Sequence, residues 1–554
     1  MATTLDLARR FIANAWNPGV TVTDAPADIT VDWDVPIKVR DGTTLRVNVF
    51  RPSSGKLVPV VMSAHPYAKD KIPLKTKTGR GLSPQYRLLS QPRPFHISQY
   101  TGWEAPDPAF WVPRGYAVVN ADLRGGGTSE GVADLFSDEE AQDYFELIEW
   151  AGTQSWSSGK VGLDGVSYLA ISQYKVAALR PPHLAAICPW EGFSDLYRDF
   201  ARPGGIREDG FSILWSMGTS RGARVARPLL RSQMIDRPLR DEWYQSITPD
   251  LERIQVPLLV CGSFSDHLLH SRGSFEVFRR AGSAQKRLYT HRDGKWCAYY
   301  SEEACQERLR FFDHHLKGVE NGWAEELPVR LAIMDIGAKP AAVTRESAWP
   351  PQDLTWRKLW LDAQSSTMRD EPSLDHGSVN FRSQFGSVAF NWTVPIDLDI
   401  IGPMSLSLSV QVDGATDINL FVDVAKVRNG VKTTFEGSYG FGGDMVSKGW
   451  QRAAHRELDL ILSTPEQPVH RHERDELLSP GEIVPVMIAL RPHATRFRKG
   501  DELRVEVQGR WPYARNPFTG PFPAGYESSP KGICHLHTGA QYESHLLVGV
   551  RPYV

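Results

Sequence analysis

The chain has 554 residues, of which 41% are hydrophobic and 23% are charged, and its formal net charge at pH 7 is -2. This length and composition predict two or three soluble globular domains, and a charge near zero gives no reason to expect nucleic acid or an anionic membrane as a partner. No run reaches the roughly 18 apolar residues that a membrane span requires. Five cysteines without CxxC spacing indicate reduced thiols in a cytoplasmic protein and argue against a zinc site.

The first half of the chain alternates strand patterns with helix patterns. Apolar and polar residues alternate on both sides of Asp41-Gly42, which predicts a hairpin. Buried strands are indicated at 59–62, 115–120, 161–166, 184–188, 256–260 and 287–289, and helices at 139–154 and 302–316. This alternation predicts an α/β core with a mostly parallel sheet covered on both faces.

The pattern changes twice along the chain. After residue 190 it becomes helical and rich in arginine, which predicts an insertion over the sheet. Beyond a polar boundary at 318–326, alternating strands dominate and helical periodicity is almost absent, which is typical of an all-β domain. The expected domains are an α/β core at 1–189 and 255–322, a helical cap at 190–254 and an all-β sandwich at 323–554.

A short strand, a glycine turn, one serine and a helix start follow one another in the stretch Val161-Gly-Leu-Asp-Gly-Val-Ser-Tyr-Leu-Ala170. This order places the hydroxyl of Ser167 on a sharp strand-to-helix turn, beside the amide of Tyr168. The hydrolase pattern G-x-S-x-G is met at Gly165 and Ser167 but not at its fifth position, which is Leu169. Ser167 is therefore a candidate nucleophile.

A nucleophilic serine needs a base to take its proton and a carboxylate to orient that base. In open-sheet hydrolases the chain order is Ser, then Asp or Glu, then His, with the last two on loops that follow strands. Asp266 follows the strand at 256–260 and His291 follows the strand that ends at Tyr289. We therefore expect Ser167, Asp266 and His291 to form the triad.

Other assignments of the base and the acid remain open at this point. His267 or His270 could be the base, although both lie too close to Asp266 to come from a separate strand. Asp293 competes as the acid, and Asp266 could be only a helix cap. Adjacent histidines at 314–315 point to different faces of a helix, so they do not predict a metal pair.

The glycines at 125–127 follow a strand, which raises the possibility of dinucleotide binding. The pattern G-x-G-x-x-G fails there because Glu130 occupies the place of its last glycine. A tight turn is the favoured interpretation, and no cofactor is expected.

Several stretches match motifs of one known family. The elbow Gly165-Val-Ser-Tyr-Leu-Ala170 matches G-x-S-Y-x-G except for Ala170. The other matching stretches are Gly115-Tyr-Ala-Val-Val119, Asp122-Leu-Arg-Gly125, Trp156-Ser-Ser-Gly-Lys-Val-Gly162, Phe311-Phe-Asp-His-His-Leu-Lys-Gly318, Gly449-Trp-Gln-Arg-Ala-Ala-His-Arg456 and Arg496-Phe-Arg-Lys-Gly-Asp501. Together they resemble the cocaine esterase-like hydrolases, a family that includes X-prolyl dipeptidyl peptidases and α-amino acid ester hydrolases.

The resemblance implies an α/β-hydrolase core with a C-terminal jelly-roll and an acyl-enzyme mechanism without a cofactor. It also implies a role for each matching residue. Ser167 matches the nucleophile, Asp266 the acid and His291 the general base. The amide of Tyr168 and the hydroxyl of Tyr67 match the two oxyanion donors. The context of His291 lacks the family's usual W-x-H-G, which leaves the shape of that loop open.

The inserted region roofs the acyl pocket in this family, so it also suggests where substrate binds. Trp190, Trp215 and Phe264 are the pocket candidates, with core packing as the alternative for each. An amino ester or a dipeptide would need carboxylates to hold its ammonium group. Such carboxylates could come from Glu191, Asp195 and Asp199, for which surface solvation is the alternative.

The expected function is hydrolysis of a small-molecule carboxylic ester, or of an amide, by a serine carboxylesterase. The alternatives within enzymes are an X-prolyl dipeptidyl peptidase and an α-amino acid ester hydrolase. A carbohydrate-binding protein with an inactive hydrolase scaffold is the non-enzyme alternative, and the intact candidate set argues against it. The jelly-roll would also help to form contacts in a homo-oligomer, and no nucleic acid, membrane or metal partner is expected.

Overall fold

The computed structural model describes residues 9, 12–73, 75–76, 79–89, 91–337, 339–439, 443–513, 524–539 and 541–553. Residues 12–16 are helical, and the further α-helices within these ranges are Pro84–Leu88, Pro108–Trp111, Asp138–Gly152, Tyr168–Leu179, Phe211–Gly222, Leu230–Asp236, Glu242–Ile247, Ser271–Arg280, Lys295–Tyr299 and Glu302–Lys317. Shorter helical turns are Val112–Arg114, Tyr197–Ala201, Pro203–Gly205, Leu251–Arg253 and Ala453–His455.

One large sheet organises the first part of the chain. Its strand order is Ile29–Lys38, Thr44–Pro52, Ala117–Asp122, Val58–His65, Ser157–Val166, Leu184–Trp190, Leu258–Ser263, Lys286–His291, Val329–Met334 and Pro340–Glu346. Neighbours from Ala117–Asp122 to Val329–Met334 run parallel, as the alternating pattern predicts. The hairpin expected at Asp41-Gly42 is confirmed, with Ile37 opposite Leu45.

Helices cover both faces of this sheet. Along one buried strand, Val60 and Met62 belong to one apolar cluster while Val61 belongs to another, because successive side chains of a strand point to opposite faces. The helix Asp138–Gly152 contributes to the first cluster and the helix Glu302–Lys317 to the second. Strands that are buried on both faces have sequences of consecutive apolar residues, which is why these strands could be predicted from the sequence.

The chain between Leu184–Trp190 and Leu258–Ser263 is described throughout and contains helices but no strand. This agrees with the helical insertion expected there. Its longest helix is Phe211–Gly222, which carries Trp215. The helix therefore brings an aromatic residue of the insertion to the edge of the sheet at which Ser167 lies.

The remaining strands form two groups around a separate apolar cluster. The first group is Thr355–Asp362, Gly377–Arg382, Leu398–Asp413, Val484–Phe497, Ile533–Thr538 and His545–Pro552. The second is Thr367–Arg369, Ser387–Thr393, Asn419–Arg428, Val431–Thr433, Ser447–Arg452 and Glu502–Gln508. Two small sheets, Val20–Thr23 with Phe95–Ser98 and Lys75–Thr76 with Gly79–Arg80, lie outside these groups. We call residues 355–553 the β-rich part.

The strand Val329–Met334 differs from the sequence expectation. The sequence pattern placed it at the start of the all-β domain, but it pairs in parallel with Lys286–His291 and so belongs to the large sheet. One further pair, Met334 with Thr495, joins it to the β-rich part. A short apolar run fits either sheet, so its pattern could not reveal which partner it takes.

Candidate active site

Ser167 lies between the strand Ser157–Val166 and the helix Tyr168–Leu179, with φ 61° and ψ −116°. A residue other than glycine held at such angles costs about 1–3 kcal/mol and is typical of functional sites. Gly165 has a φ of 151°, and a Cβ there would lie 2.5 Å from the Cβ of Leu169. The turn therefore requires glycine at this position, as the elbow motif predicts.

The serine hydroxyl lies beside a histidine that is itself paired with a carboxylate. Ser167 Oγ is 3.2 Å from His270 Nε2, and His270 Nδ1 is 2.5 Å from Asp266 Oδ2. With its proton on Nδ1, the ring donates to Asp266 and presents the lone pair of Nε2 to the serine hydroxyl. In this arrangement an imidazole can take the serine proton.

A single turn of chain after the strand Leu258–Ser263 brings the histidine and the acid together. The carbonyl oxygen of Asp266 accepts hydrogen bonds from the amides of His270, at 3.2 Å, and Ser271, at 3.1 Å. Residues four apart in such a turn face the same side. The sequence reasoning set His270 aside because it is near Asp266, yet this spacing is what allows the two side chains to pair.

The structure does not bring His291 to the serine. His291 is the last residue of the strand Lys286–His291, and its Nε2 lies 3.0 Å from Glu191 Oε1. Its Nδ1 accepts a hydrogen bond of 3.2 Å from the amide of Asp293. Both ring nitrogens are therefore engaged elsewhere, and the expected grouping of His291 with Ser167 and Asp266 is corrected, because His270 occupies that place.

Lys295 is a site residue that the sequence reasoning missed. Its side chain is fully buried, and its ammonium nitrogen lies 2.7 Å from the hydroxyl of Tyr439. The same nitrogen is 3.2 Å from Asp266 Oδ2, 3.2 Å from His270 Nδ1 and 3.9 Å from Glu191 Oε2. The available signal was a lysine four positions after the predicted catalytic histidine and directly before the apolar residues at 296–298.

The lysine sets the protonation of the residues around it. Burial alone would raise the pKa of Asp266, but the charge of Lys295 and the contact with His270, which donates a hydrogen bond, hold it well below its usual range. Burial lowers the pKa of His270, the nearby Lys295 lowers it further, and Asp266 opposes the shift. The ring is therefore neutral near pH 7, which is the state that a general base needs.

The hydroxyl of Tyr67 is positioned by the insertion. It accepts a hydrogen bond of 2.8 Å from Nε1 of Trp215, on the helix Phe211–Gly222. Burial raises the pKa of Tyr67 well above its usual value, so the phenol keeps its own proton. The amide of Tyr168, in the first turn of its helix, has no acceptor within that helix. These are the two groups expected to donate to an oxyanion.

An aromatic pocket adjoins the serine. Besides Ser167 and His270, its lining consists of Tyr67, Phe136, Tyr168, Ile171, Phe193, Phe200, Phe211, Trp215 and Leu269. Of the three predicted pocket residues, Trp215 is in this lining. Trp190 is instead fully buried against Tyr289, and Phe264 is fully buried against Phe275, so these two pack in the core.

The acidic residues considered for holding a substrate ammonium group already have partners. Glu191 pairs with His291, Asp195 lies 2.7 Å from Arg198, and Asp199 pairs with Arg272. All three are buried. Each carboxylate thus already has a partner within the protein, and none belongs to the lining of the aromatic pocket.

In the part of the chain that the structure describes, two buried groups of residues place metal-ligand atoms within 4.8 Å of one another: Glu191, Cys261 and His291, and Glu191, Asp266 and His270. In the second group the ammonium of Lys295, 3.2 Å from Asp266, would repel a cation. In the first, His291 bonds directly to Glu191. Hydrogen bonds and ion pairs within the protein thus account for both groups. All five cysteines are free and buried, and no described helix is long and apolar enough to cross a membrane.

Comparison with known proteins identifies the family. Residues 41–243 match the X-Pro dipeptidyl-peptidase (S15 family), and residues 321–547 match the X-Pro dipeptidyl-peptidase C-terminal non-catalytic domain. Cocaine esterase of Rhodococcus sp. (strain MB1 Bresler) is 25% identical over 93% of this chain and 98% of its own length.

Solved structures extend this relationship. A CocE/NonD family hydrolase from Staphylococcus aureus is 36% identical, with a TM-score of 0.88 over 97% of this chain and 99% of its own. An α-amino acid ester hydrolase shares the fold, with a TM-score of 0.69 at 17% identity over 96% of this chain and 98% of its own. The chain therefore belongs to the S15 X-Pro dipeptidyl-peptidase family of serine hydrolases, together with cocaine esterase and the CocE/NonD hydrolases.

Proposed function

We propose that this protein is a serine esterase that cleaves carboxylic esters of small, uncharged acyl groups through an acyl-enzyme. The proposal rests on one pair of linked contacts. Ser167 Oγ lies 3.2 Å from His270 Nε2, and His270 Nδ1 lies 2.5 Å from Asp266 Oδ2. The elbow angles of Ser167 and its aromatic pocket support it.

The proposed mechanism assigns one role to each group. Ser167 Oγ attacks the ester carbonyl while its proton passes to Nε2 of His270, and Asp266 stabilises the resulting imidazolium. The hydroxyl of Tyr67 and the amide of Tyr168 donate to the oxyanion. His270 then protonates the leaving alcohol, and water releases the acyl group by the reverse sequence.

The pocket favours an ester over an amino ester or an Xaa-Pro peptide. Its lining is aromatic and aliphatic apart from the catalytic groups. The carboxylates that could have held an ammonium, Glu191, Asp195 and Asp199, are paired with protein side chains. A cationic acyl group would therefore lose its hydration without gaining a counter-charge, which disfavours its binding.

We also infer the finer architecture that the sequence suggests. It consists of an α/β-hydrolase core at 1–189 and 255–322 that also takes in the strands Val329–Met334 and Pro340–Glu346, a helical cap at 190–254 and a jelly-roll formed by the β-rich part. The matches at 41–243 and 321–547 support the division, as do the helices of the insertion. The strands Val329–Met334 and Pro340–Glu346 would be the point at which the jelly-roll joins the core sheet.

The test is hydrolysis of p-nitrophenyl acetate, butyrate and benzoate, with an Xaa-Pro p-nitroanilide alongside. We expect the wild type to release p-nitrophenol in a burst followed by slower turnover, and Ser167→Ala to lose the burst. Ser158→Ala, at an exposed serine on the same strand, is the control and should behave as wild type. Activity that survives in Ser167→Ala would falsify the mechanism, and a preference for the anilide would point to a peptidase.

A fluorophosphonate separates an enzyme from an inactive scaffold. The reagent should label the wild type at Ser167 and leave Ser167→Ala unlabelled, since it reacts with an activated serine. A wild-type protein that resists labelling while binding a carbohydrate would favour the non-enzyme reading.

Tyr67→Phe is expected to lower kcat by about 10² to 10³ with little change in KM, because an oxyanion donor acts mainly in the transition state. Trp215→Phe removes the indole donor that orients Tyr67 and also shortens the pocket wall, and it should cost about tenfold. Tyr144→Phe is the matched control, since the buried hydroxyl of Tyr144 has no hydrogen-bond partner within the described part of the chain. A wild-type kcat in Tyr67→Phe would exclude the phenol as an oxyanion donor.

A further inference from the structure

A second cavity lies between the insertion and the β-rich part, outside the pocket that contains Ser167. Its volume is about 50 Å³, enough for several water molecules or one small oxyanion. Its lining includes residues from the insertion, from the helix Ser271–Arg280 and from the β-rich part, among them Arg198, Arg272, Trp450, His470, Ala489 and Arg491. Three of these six side chains are arginines.

The arginines outnumber the carboxylates that they contact. Asp195 lies 2.7 Å from Arg198 and 3.2 Å from Arg240, so two guanidinium groups share one carboxylate. Asp199 forms two hydrogen bonds with Arg272. Both aspartates are engaged by other arginines, so the charge of Asp199 acts on a further cation at the cavity wall only through space, without an ion pair or a hydrogen bond.

Arg491 is that further cation. It is 8% exposed, its Nε donates a hydrogen bond of 3.0 Å to the carbonyl oxygen of His267, and its guanidinium lies 4.8 Å from the ring of Trp450. Among the described residues it forms no ion pair and no other hydrogen bond, so both terminal amino groups remain without an acceptor. Burial lowers the pKa of Arg491 to about 10, which still leaves it protonated near neutral pH.

A second unpartnered group lines the same cavity. His470 is 5% exposed, and its Nε2 has no hydrogen-bond partner among the described residues. Buried polar groups in folded proteins nearly always have partners, and a buried charge without a counter-charge is costly. Burial lowers the pKa of His470 to about 3, so its ring is neutral and the free donors of the cavity are the two amino groups of Arg491. The cavity thus has free donors and an excess of positive charge around a volume of suitable size.

We propose that this cavity binds a small oxyanion, either a phosphate or a carboxylate group, held by Arg491 between the insertion and the β-rich part. A planar guanidinium with two free amino groups matches the oxygens of either anion in a bidentate contact. The cavity lies apart from the pocket of Ser167, so the proposed anion binding does not depend on the proposed ester hydrolysis.

The test is isothermal titration calorimetry with inorganic phosphate and, separately, with acetate, on the full chain at an ionic strength held constant with chloride. We expect saturable binding of one of these anions at one site, and the preferred anion identifies the chemical class. Arg491→Gln should weaken that affinity at least tenfold, because it removes a charge-assisted contact. Arg382→Gln removes an exposed arginine and should bind as the wild type does.

A second variant, which keeps every charged residue, tests the proposal even if Arg491→Gln fails to fold. Ala489 lines the cavity and is not part of the apolar cluster of the β-rich part, to which its neighbours Ile488 and Leu490 belong. Ala489→Met should therefore fill the cavity and abolish binding while circular dichroism and the melting transition remain those of a folded protein. Equal binding by wild type, Arg491→Gln and Ala489→Met, or no binding of either anion above chloride, would overturn the proposal.

Discussion

His270→Ala is expected to lower kcat/KM for the p-nitrophenyl ester that wild type cleaves best by about 10³ to 10⁶, because the removal of one triad member disables the whole unit. His291→Ala should retain activity within about tenfold. Its ring bonds to Glu191 and to the amide of Asp293, not to the serine, so its loss removes support from Glu191. Its main effect should be a lower melting temperature, since a buried hydrogen bond to a charged group is lost.

His267→Ala is the matched control for these two variants. His267 lies on the same loop as His270 and is equally buried, but its Nε2 is 3.3 Å from the carbonyl oxygen of Pro492. In steady-state kinetics and in fluorophosphonate labelling, His267→Ala should behave as His291→Ala does and should not share the loss expected of His270→Ala. If His291→Ala were folded but unlabelled while His270→Ala remained active, the assignment of the base made here would be wrong.

Lys295→Met should shift the acid limb of the pH profile of kcat/KM to higher pH. The base works only as neutral imidazole, so activity is present above the pKa of His270 and falls as the pH drops through it. In the wild type, burial and then the charge of Lys295 lower that pKa. Without the ammonium group it rises, and activity should be lost at a pH at which wild type is still active. The buried Asp266 also loses a cation 3.2 Å away, so stability should fall by about 3–5 kcal/mol.

Measurement of kcat/KM between about pH 5 and 9, with thermal melting of the same samples, separates the two effects of Lys295→Met. Tyr439→Phe removes the hydroxyl 2.7 Å from the lysine but keeps the charge, so its acid limb should stay close to that of wild type. An acid limb in Lys295→Met that coincides with the wild-type limb would show that the lysine does not tune the base.

Much of the fold could be predicted because its elements have distinct periodicities. The helix Asp138–Gly152 and the buried strands around Val58–His65 lie where their patterns indicate. The strand Val329–Met334 was assigned to the wrong sheet because an apolar run specifies burial but not its pairing partner. Pairing of strands distant in sequence depends on the whole packed structure, which no local pattern contains.

The site was only partly predictable for the same reason. Ser167 and Asp266 follow strands whose ends meet at one edge of the sheet, so their approach follows from topology. The choice between His270 and His291 depends on how a loop of a few residues turns. Lys295 also contacts Tyr439, which follows it by 144 positions, and no spacing rule connects the two. Trp190 and Phe264 were predicted to line the pocket from their positions in the chain, yet both pack in the core.

The contact between Lys295 and Tyr439 has a consequence for how the protein is made in the cell. Ser438 also reaches Glu191, with its hydroxyl 3.2 Å from Glu191 Oε2, so the β-rich part supplies one wall around the buried charges. During synthesis, Ser167, Asp266 and His270 leave the ribosome well before Ser438 and Tyr439 are made, because chains emerge from the N-terminus. We therefore expect the nascent polypeptide to carry its reactive serine in an inactive form, and chains that terminate early to be unable to cleave cellular esters.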